Sequence, residues 1–338
     1  MKSNITMRDI ADELGVSSVT VSKALNDKEG VSDELKEKIK VLAEKMGYRY
    51  NAAAKSMKEG CSYNIGVVIP ERFTGMNQSF YLNVHQHISR LLENHGYYGI
   101  LHILSSKDEA ELTLPRIYYE RKVDGFIILG QVSKAYIEKI TSVDLPKVFL
   151  DFYDEHAEID SVITDNFYGA YELTNFLIQQ GHREISYVGS LYSTSSIQDR
   201  FLGYYKSLLE HHIQLNQEYV LDDRDEKGAY IDIMLPSPLP SAFVCNCDQV
   251  AHTLVQKLKQ EGYRVPEDCS VVGFDNDIYA SITTPPLTTV EVDIVEMANN
   301  AITIIIEKIK NKEKSFGRTL VKGKIVYRDS VKKIEAGN

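Results

Sequence analysis

A chain of 338 residues, 43% of them hydrophobic, exceeds one ordinary α/β domain and carries enough apolar side chains for a sizeable core. Its net charge of −10 excludes a protein coated for indiscriminate nucleic-acid binding, and its four cysteines exclude a disulfide framework, which fits free thiols in a reducing compartment. The opening MKSNITMRDI lacks the apolar stretch of a secretory leader, and no run approaches the ~18 apolar residues of a membrane helix, so a cytoplasmic protein without membrane contact is expected.

In chain order, TMRDIADELGVSSVTVSKALN (6–26) comes first and sets out two short helices around a glycine turn. Thr6 caps a helix whose third residue is Asp9, and Ile10, Ala11 and Leu14 recur on one face. Gly15 breaks it, Val16 fills the corner, and Ser17 caps a second helix that sends Val21, Ala24 and Leu25 inward. Ser32 opens a third helix with Asp33 and Glu34 in its first turn, where carboxylates suit the dipole, and Leu35, Ile39, Leu42 and Met46 on its apolar face; Gly47 ends it. The three make a helix-turn-helix unit whose core is barely sufficient alone. Residues 1–60 hold 11 Lys/Arg against 10 Asp/Glu, so DNA affinity must come from where cations and amides point rather than from bulk charge.

RYNAAAKSMKEG (49–60) is helix-permissive but has no wide apolar face, and reads as a linker. From Tyr63 the pattern becomes short apolar strands between amphipathic helices: NIGVVIP, YGILHIL, VDGFIIL, PKVFLD and SVITD, then EISYVG, SAFVC and CSVVGFD, with helices at 166–180, 197–212 and 248–261. The fold class expected is α/β: a three-helix head followed by two doubly wound parallel-sheet subdomains with a ligand cleft at the strand C-termini. PSPLP at 236–240 is a stiff loop, and no internal repeat stands out.

Several separated motifs then stand in a familiar order: the head segment, MGYRYNAAAKSM, GVVIP, VDGFIIL, TDNFYGA, GHREISYVG, the R-x-x-G of Arg200 and Gly203, VPEDCSVVGFD, PPLTTV and YRDS. Over nearly its whole length the chain resembles the LacI/GalR family of bacterial transcription regulators. That resemblance implies a DNA-binding domain at 1–49, a hinge at 50–61 and an effector-binding, dimerising core at 62–338 like periplasmic sugar-binding proteins. The core divides into a subdomain of about 62–161 and 291–318 and another of about 162–290 and 319–338.

The resemblance places Ser18, Val19 and Lys23 against base edges, where Lys donates to guanine and a Val methyl meets thymine. It places Thr6, Ser17, Thr20, Ser22, Asn26 and Ser32 against phosphates, although Ser17 and Ser32 are equally explained as helix caps. In the hinge, Asn51 and Ala54 fall in the minor-groove segment, Met57 stands where the family has a leucine wedge, and Tyr50 replaces a usual proline.

For the effector, the resemblance points to Asp151, Arg200, Asp248 and Asp275 at strand ends, with Asn246 beside them. Arg200 offers a planar fork of donors and the aspartates accept from hydroxyls, a mixture that suits a sugar. Asp248 also reads as a plain helix N-cap. VCNCDQVA departs from the family's usual N-D, because Cys247 stands where an amide often holds a sugar hydroxyl. The loop ERFTGMNQSFY is long and polar enough to close over a ligand, with Asn77, Ser79 and Phe80 as contacts.

The function expected is a repressor of a carbohydrate-utilisation operon, working as a homodimer on a pseudo-palindromic double-stranded operator and controlled by a sugar-like effector, with no cofactor. The alternatives are control by a phosphorylated partner protein or a non-sugar ligand and, more remotely, a solute-binding protein. No G-x-S-x-G, phosphate loop or H-E-x-x-H is present, so no enzyme is expected. Cys245, Cys247 and Cys269 with His85 and His87 fit no standard zinc spacing, so no metal is expected either.

Overall fold

The computed structural model of the chain describes residues 5–49, 56, 59–75, 80–154, 159–226 and 228–334. Contacts divide it into two units, Met1–Ser62 and Tyr63–Asn338.

In the first unit, helix α1 (Met7–Leu14) begins on a capping box: the Thr6 hydroxyl accepts from Asp9 N, and the Asp9 carboxylate accepts from Thr6 N at 2.7 Å. Gly15 ends α1 at φ +66°, a conformation that costs other residues about 1–2 kcal/mol. Helix α2 (Ser18–Leu25) follows Ser17 as N-cap, and helix α3 (Asp33–Met46) runs from Ser32 to a second left-handed glycine, Gly47. Ile10, Ala11, Val21, Ala24, Ile39 and Ala43 are buried, while Leu14, Leu25, Leu35, Leu42 and Met46 are half-buried around them. The core is small, as expected of so few residues.

The second unit has two lobes. Strands β1 (Asn64–Pro70), β2 (Tyr98–Leu104), β3 (Gly125–Leu129), β4 (Lys147–Leu150), β5 (Ser161–Thr164) and β11 (Arg318–Val321) form a parallel six-stranded sheet in the order β11-β5-β4-β3-β1-β2. In β1, β3, β4 and β5 the side chains alternate between two buried faces, whereas the edge strands β2 and β11 are partly exposed. Val67, Ile127, Val148 and Leu150 meet Met297, Ala301 and Ile305 of the helix Ile294–Lys310, whereas Val68, Phe126, Ile128 and Phe149 meet Tyr136, Ile137 and Ile140 of the helix Lys134–Thr141.

In the second lobe, β6 (Ile185–Val188), β7 (Val220–Leu221), β8 (Ala242–Cys245) and β9 (Ser270–Val272) form a parallel sheet in the order β7-β6-β8-β9. Helices Asn166–Gln179 and Ser195–Glu210 supply Leu173, Leu177, Tyr204 and Leu208 to the apolar cluster that includes Ile185, Tyr187 and Val244. Helix Asp248–Gln260 supplies Val250, Ala251, Leu254 and Leu258 to the cluster around Val188, Phe243 and Val271. A short antiparallel pair, β10 (Thr289–Glu291) with β12 (Lys324–Val326), completes the unit. The chain passes between lobes after Thr164, Glu291 and Val321; the first and last passages lie three residues beyond the 161 and 318 read from the sequence, because β5 and β11 pair fully within the first sheet.

At Gly203 the helices Asn166–Gln179 and Ser195–Glu210 lie backbone against backbone: a Cβ there would stand 2.1 Å from the Phe167 carbonyl oxygen. Backbone cannot move aside as a side chain does. Gly203→Ala is therefore expected to lower unfolding free energy by about 1–3 kcal/mol, read as a lower urea midpoint by circular dichroism; an unchanged midpoint would contradict this packing.

Candidate functional site

On the head, α2 presents a polar face with one apolar exception. Ser18, Val19 and Lys23 are exposed, Val19 at 66%, while Val21 and Ala24 of the same helix are buried. Thr20, Ser22 and Asn26 are half-buried at its margin. The Ser17 hydroxyl accepts from Thr20 N at 3.1 Å and lies 2.9 Å from Thr20 Oγ1, Asn26 Nδ2 donates to the Ser22 carbonyl at 2.7 Å, and Ser32 Oγ accepts from Leu35 N at 3.4 Å. The capping role of Ser17 and Ser32 is thus observed. Asn51, Ala54, Met57 and Tyr50 of the hinge lie outside the described residues, as do Asn77 and Ser79.

In the second unit, a cleft between the lobes gathers residues from the C-terminal ends of strands, where an open parallel sheet leaves side chains and amides uncovered. Asp151 follows β4, Asn246 and Cys247 follow β8, and Asp275 follows β9; Arg200 arrives from the helix Ser195–Glu210, and Phe80 from the start of the helix Phe80–Asn94. Arg200 is 6% exposed. Its Nε donates to Asn166 Oδ1 at 2.8 Å, Nη1 to the Asn246 carbonyl at 2.5 Å and Nη2 to Asp275 Oδ1 at 3.2 Å, and its guanidinium lies 3.8 Å from the centre of the Phe274 ring.

Asp151 accepts from Tyr81 Oη through Oδ2 at 2.8 Å, but its buried Oδ1 has no partner among the described residues. An unpaired buried carboxylate oxygen costs about 1–3 kcal/mol or more, and this one lies on the cleft wall. Burial raises the Asp151 carboxyl above its ordinary range, against the pull of Arg200 and the Tyr81 hydrogen bond. Burial also lifts Asp275 to about 7, opposed by Arg200 and reinforced by Asp277 and Asp151.

Asp248 is corrected. It is the first residue of its helix, with Cys247 at the N-cap, and it does not line the cleft. Its Oδ1 accepts from Thr289 Oγ1 at 2.6 Å and its Oδ2 from Asp277 N at 3.0 Å, so both oxygens are spent inside the fold.

Several lining residues escaped sequence reasoning. Arg224 and Tyr230 face each other across a turn, with the guanidinium 4.8 Å from the ring centre, and Tyr230 Oη donates to Gln249 Oε1 at 3.3 Å. Arg72 is anchored by Glu109 at 2.6 Å, and Thr194, Ser196 and Asp277 complete the polar wall. The only sequence signal was the charged, turn-prone DDRDEKGAY, which carries no apolar alternation. The lobes also touch directly: Ser195 N and Oγ donate to Gln131 Oε1 at 3.2 and 3.1 Å, and Tyr153 Oη donates to Asp199 Oδ1 at 3.0 Å.

Among the described residues no three or more His, Cys, Asp or Glu side chains converge on a metal position, and no helix is long and apolar enough to cross a membrane. The chemistry of the cleft is that of reversible binding by hydrogen bonds and aromatic faces.

Comparison with known proteins follows this division. Residues 6–51 match the model of bacterial regulatory proteins, lacI family, and residues 174–331 match a periplasmic binding protein-like domain. Over 335 residues the chain is 30% identical to the HTH-type transcriptional repressor PurR of Vibrio vulnificus, covering 97% of this chain and 99% of that protein. It is 27% identical over 330 residues to the ribose operon repressor of Haemophilus influenzae, covering 96% and 98%. Among solved structures, the lac repressor dimer bound to operator and the anti-inducer ONPF superposes with a TM-score of 0.78 at 23% identity, covering 98% of this chain and all of that one.

The burial of Asp275 has a pH signature. Between about pH 4 and pH 7 the folded protein keeps a proton that the unfolded chain has released, so this group's contribution to stability falls as pH rises through that window. The stability of wild type relative to Asp275→Asn is expected to drop by about 2 kcal/mol from about pH 5 to pH 7, measured by urea unfolding at each pH; a difference that stays flat would show that Asp275 is ionised throughout.

Proposed function

The chain belongs to the lacI family of bacterial regulatory proteins, a family of DNA-binding transcriptional repressors rather than enzymes, and on that premise we propose that its repression is controlled by a neutral sugar or closely related polyol bound between the two lobes of the core. The observation that carries the ligand class is the unsatisfied buried acceptor at Asp151 on the first lobe's wall, in one cleft with the Arg200 guanidinium of the second lobe, whose five N–H groups exceed the three bonds described above. A molecule with hydroxyls on adjacent carbons supplies both a donor and an acceptor to such a wall. The aromatic faces of Phe73, Phe80 and Tyr230 suit the C–H face of a sugar ring. The ribose operon repressor among the relatives supports the same class.

On the DNA side, we read Ser18, Val19 and Lys23 as the base-contacting face of α2, with Thr6, Ser17, Thr20, Ser22, Asn26 and Ser32 holding phosphates and Asn51, Ala54 and Met57 entering the minor groove. What supports this is the exposure of an apolar Val19 beside a lysine on a helix whose other face is buried. A homodimer would set two such helices on half-sites about 34–36 Å apart, or a multiple of that, so the operator would be a pseudo-palindrome.

Selection of bound DNA from a random library, repeated with a panel of sugars, tests both halves. An inverted repeat whose occupancy shifts with one sugar is the expected result. A site indifferent to every sugar would keep the repressor and remove the polyol, and an effect of purines alone would reassign the cleft. Lys23→Ala is expected to weaken operator binding by about 1–3 kcal/mol and to relax base preference at one position of each half-site, read by titrating operator variants; an unaltered preference would put a different face in the groove. Linkage also requires a ligand that loosens DNA binding to bind the operator complex less tightly than the free protein, which calorimetry on both would show.

A further inference from the structure

The wall of the cleft around the end of β8 is polar except at one position. Asn246, Gln249, Asp275 and Asp277 all present hydrogen-bonding groups, and among them stands Cys247. It occupies the N-cap of the helix Asp248–Gln260, a place where serine, threonine, aspartate or asparagine would offer a strong oxygen. The Cys247 thiol is half-buried and packs against the apolar cluster of Val250, Ala251 and Leu254. Burial pushes it up to about 12, so it stays a neutral thiol despite the nearby Arg224. A neutral thiol is a weak donor and a weak acceptor and behaves in a binding site as a small apolar surface.

Independently, Asp151, 6% exposed on the first lobe's side, leaves its buried Oδ1 unpartnered among the described residues in the same cleft that Cys247 lines from the second lobe. A ring held between Asp151 and Arg200 would lie in the cleft that Cys247 also lines. A hydroxyl against the sulfur would exchange water for a poor partner, while a C–H or methyl group would bury apolar surface.

We propose that Cys247 is a specificity-determining residue of the cleft, selecting a deoxy sugar over its parent because the effector meets the thiol with a C–H or methyl group instead of a hydroxyl. This deepens the polyol reading above and rests on it. The loss of a ligand hydroxyl that finds no good partner corresponds to about tenfold or more in relative affinity.

The test is calorimetric titration of the full-length wild type, Cys247→Ala and Cys247→Asn with pairs of one configuration: D-galactose and D-fucose, L-mannose and L-rhamnose, D-ribose and 2-deoxy-D-ribose. Urea unfolding of each variant establishes that it is folded. The expected result is that wild type binds the deoxy member of one pair at least about tenfold more tightly, that Cys247→Ala keeps this preference, and that Cys247→Asn abolishes or reverses it. Equal affinity within every pair for wild type, or a deoxy preference that persists in Cys247→Asn, would overturn the proposal. If folded wild type and both variants bind no member of any pair, the polyol reading itself fails and this one with it.

Discussion

A guanidinium keeps its charge at any pH a cell meets, so burying one obliges the surrounding chain to answer it. In the second lobe that obligation falls on Arg200. The answer comes from three distant stretches of sequence: the side chain of Asn166, the carbonyl of Asn246 and the carboxylate of Asp275, with the Phe274 ring beneath. Each partner sits where a strand ends or a helix begins, so the charge ties together the rim of the second sheet. Gly203, three residues farther along the same helix, lets that helix lie close enough to its neighbour for Asn166 to reach. The same cation favours the ionised forms of Asp151 and Asp275 against the burial that opposes them, so the cleft's polarity follows from the fold that built it.

The head is held by different means. With six buried apolar side chains among its described residues it has little core to rely on, and the ends of its helices carry much of the definition: a capping box at Thr6, hydroxyl caps at Ser17 and Ser32, and left-handed glycines at 15 and 47. These are local devices, written in adjacent residues. They leave the outer face of α2 free of structural duties.

That contrast explains what could be read from the sequence. Caps, glycine breaks and apolar periodicity act within a few residues, so all three head helices were legible, as were the strands of both sheets except the edge strands β7 and β11, which are short or only partly buried. The cleft was legible mainly through the family resemblance, which pointed to Asp151, Arg200 and Asp275, and through the long polar loop that ends at Phe80; with Asn246 these line it. Asp248 was not, because its carboxylate is claimed by Thr289, 41 residues away in sequence, through a contact that no local pattern reveals. Arg224 and Tyr230 were missed for the opposite reason: a charged turn has no periodicity, and only its anchoring by Asp223 and Ser190 brings it to the wall.

The three passages between the lobes have a mechanical consequence. They are not separate threads: Asp165 N donates to the Val321 carbonyl at 2.8 Å, and Glu291 pairs with Lys324 both through the β10-β12 ladder and through an ion pair at 3.1 Å. Three strands laminated in this way form a strap, compliant to flexing about a line across its width but stiff to torsion, since twisting would shear every hydrogen bond between neighbours at once. The lobes are therefore joined by one cross-linked strap instead of three independent tethers, a connection that favours pivoting about a line across its width over twisting.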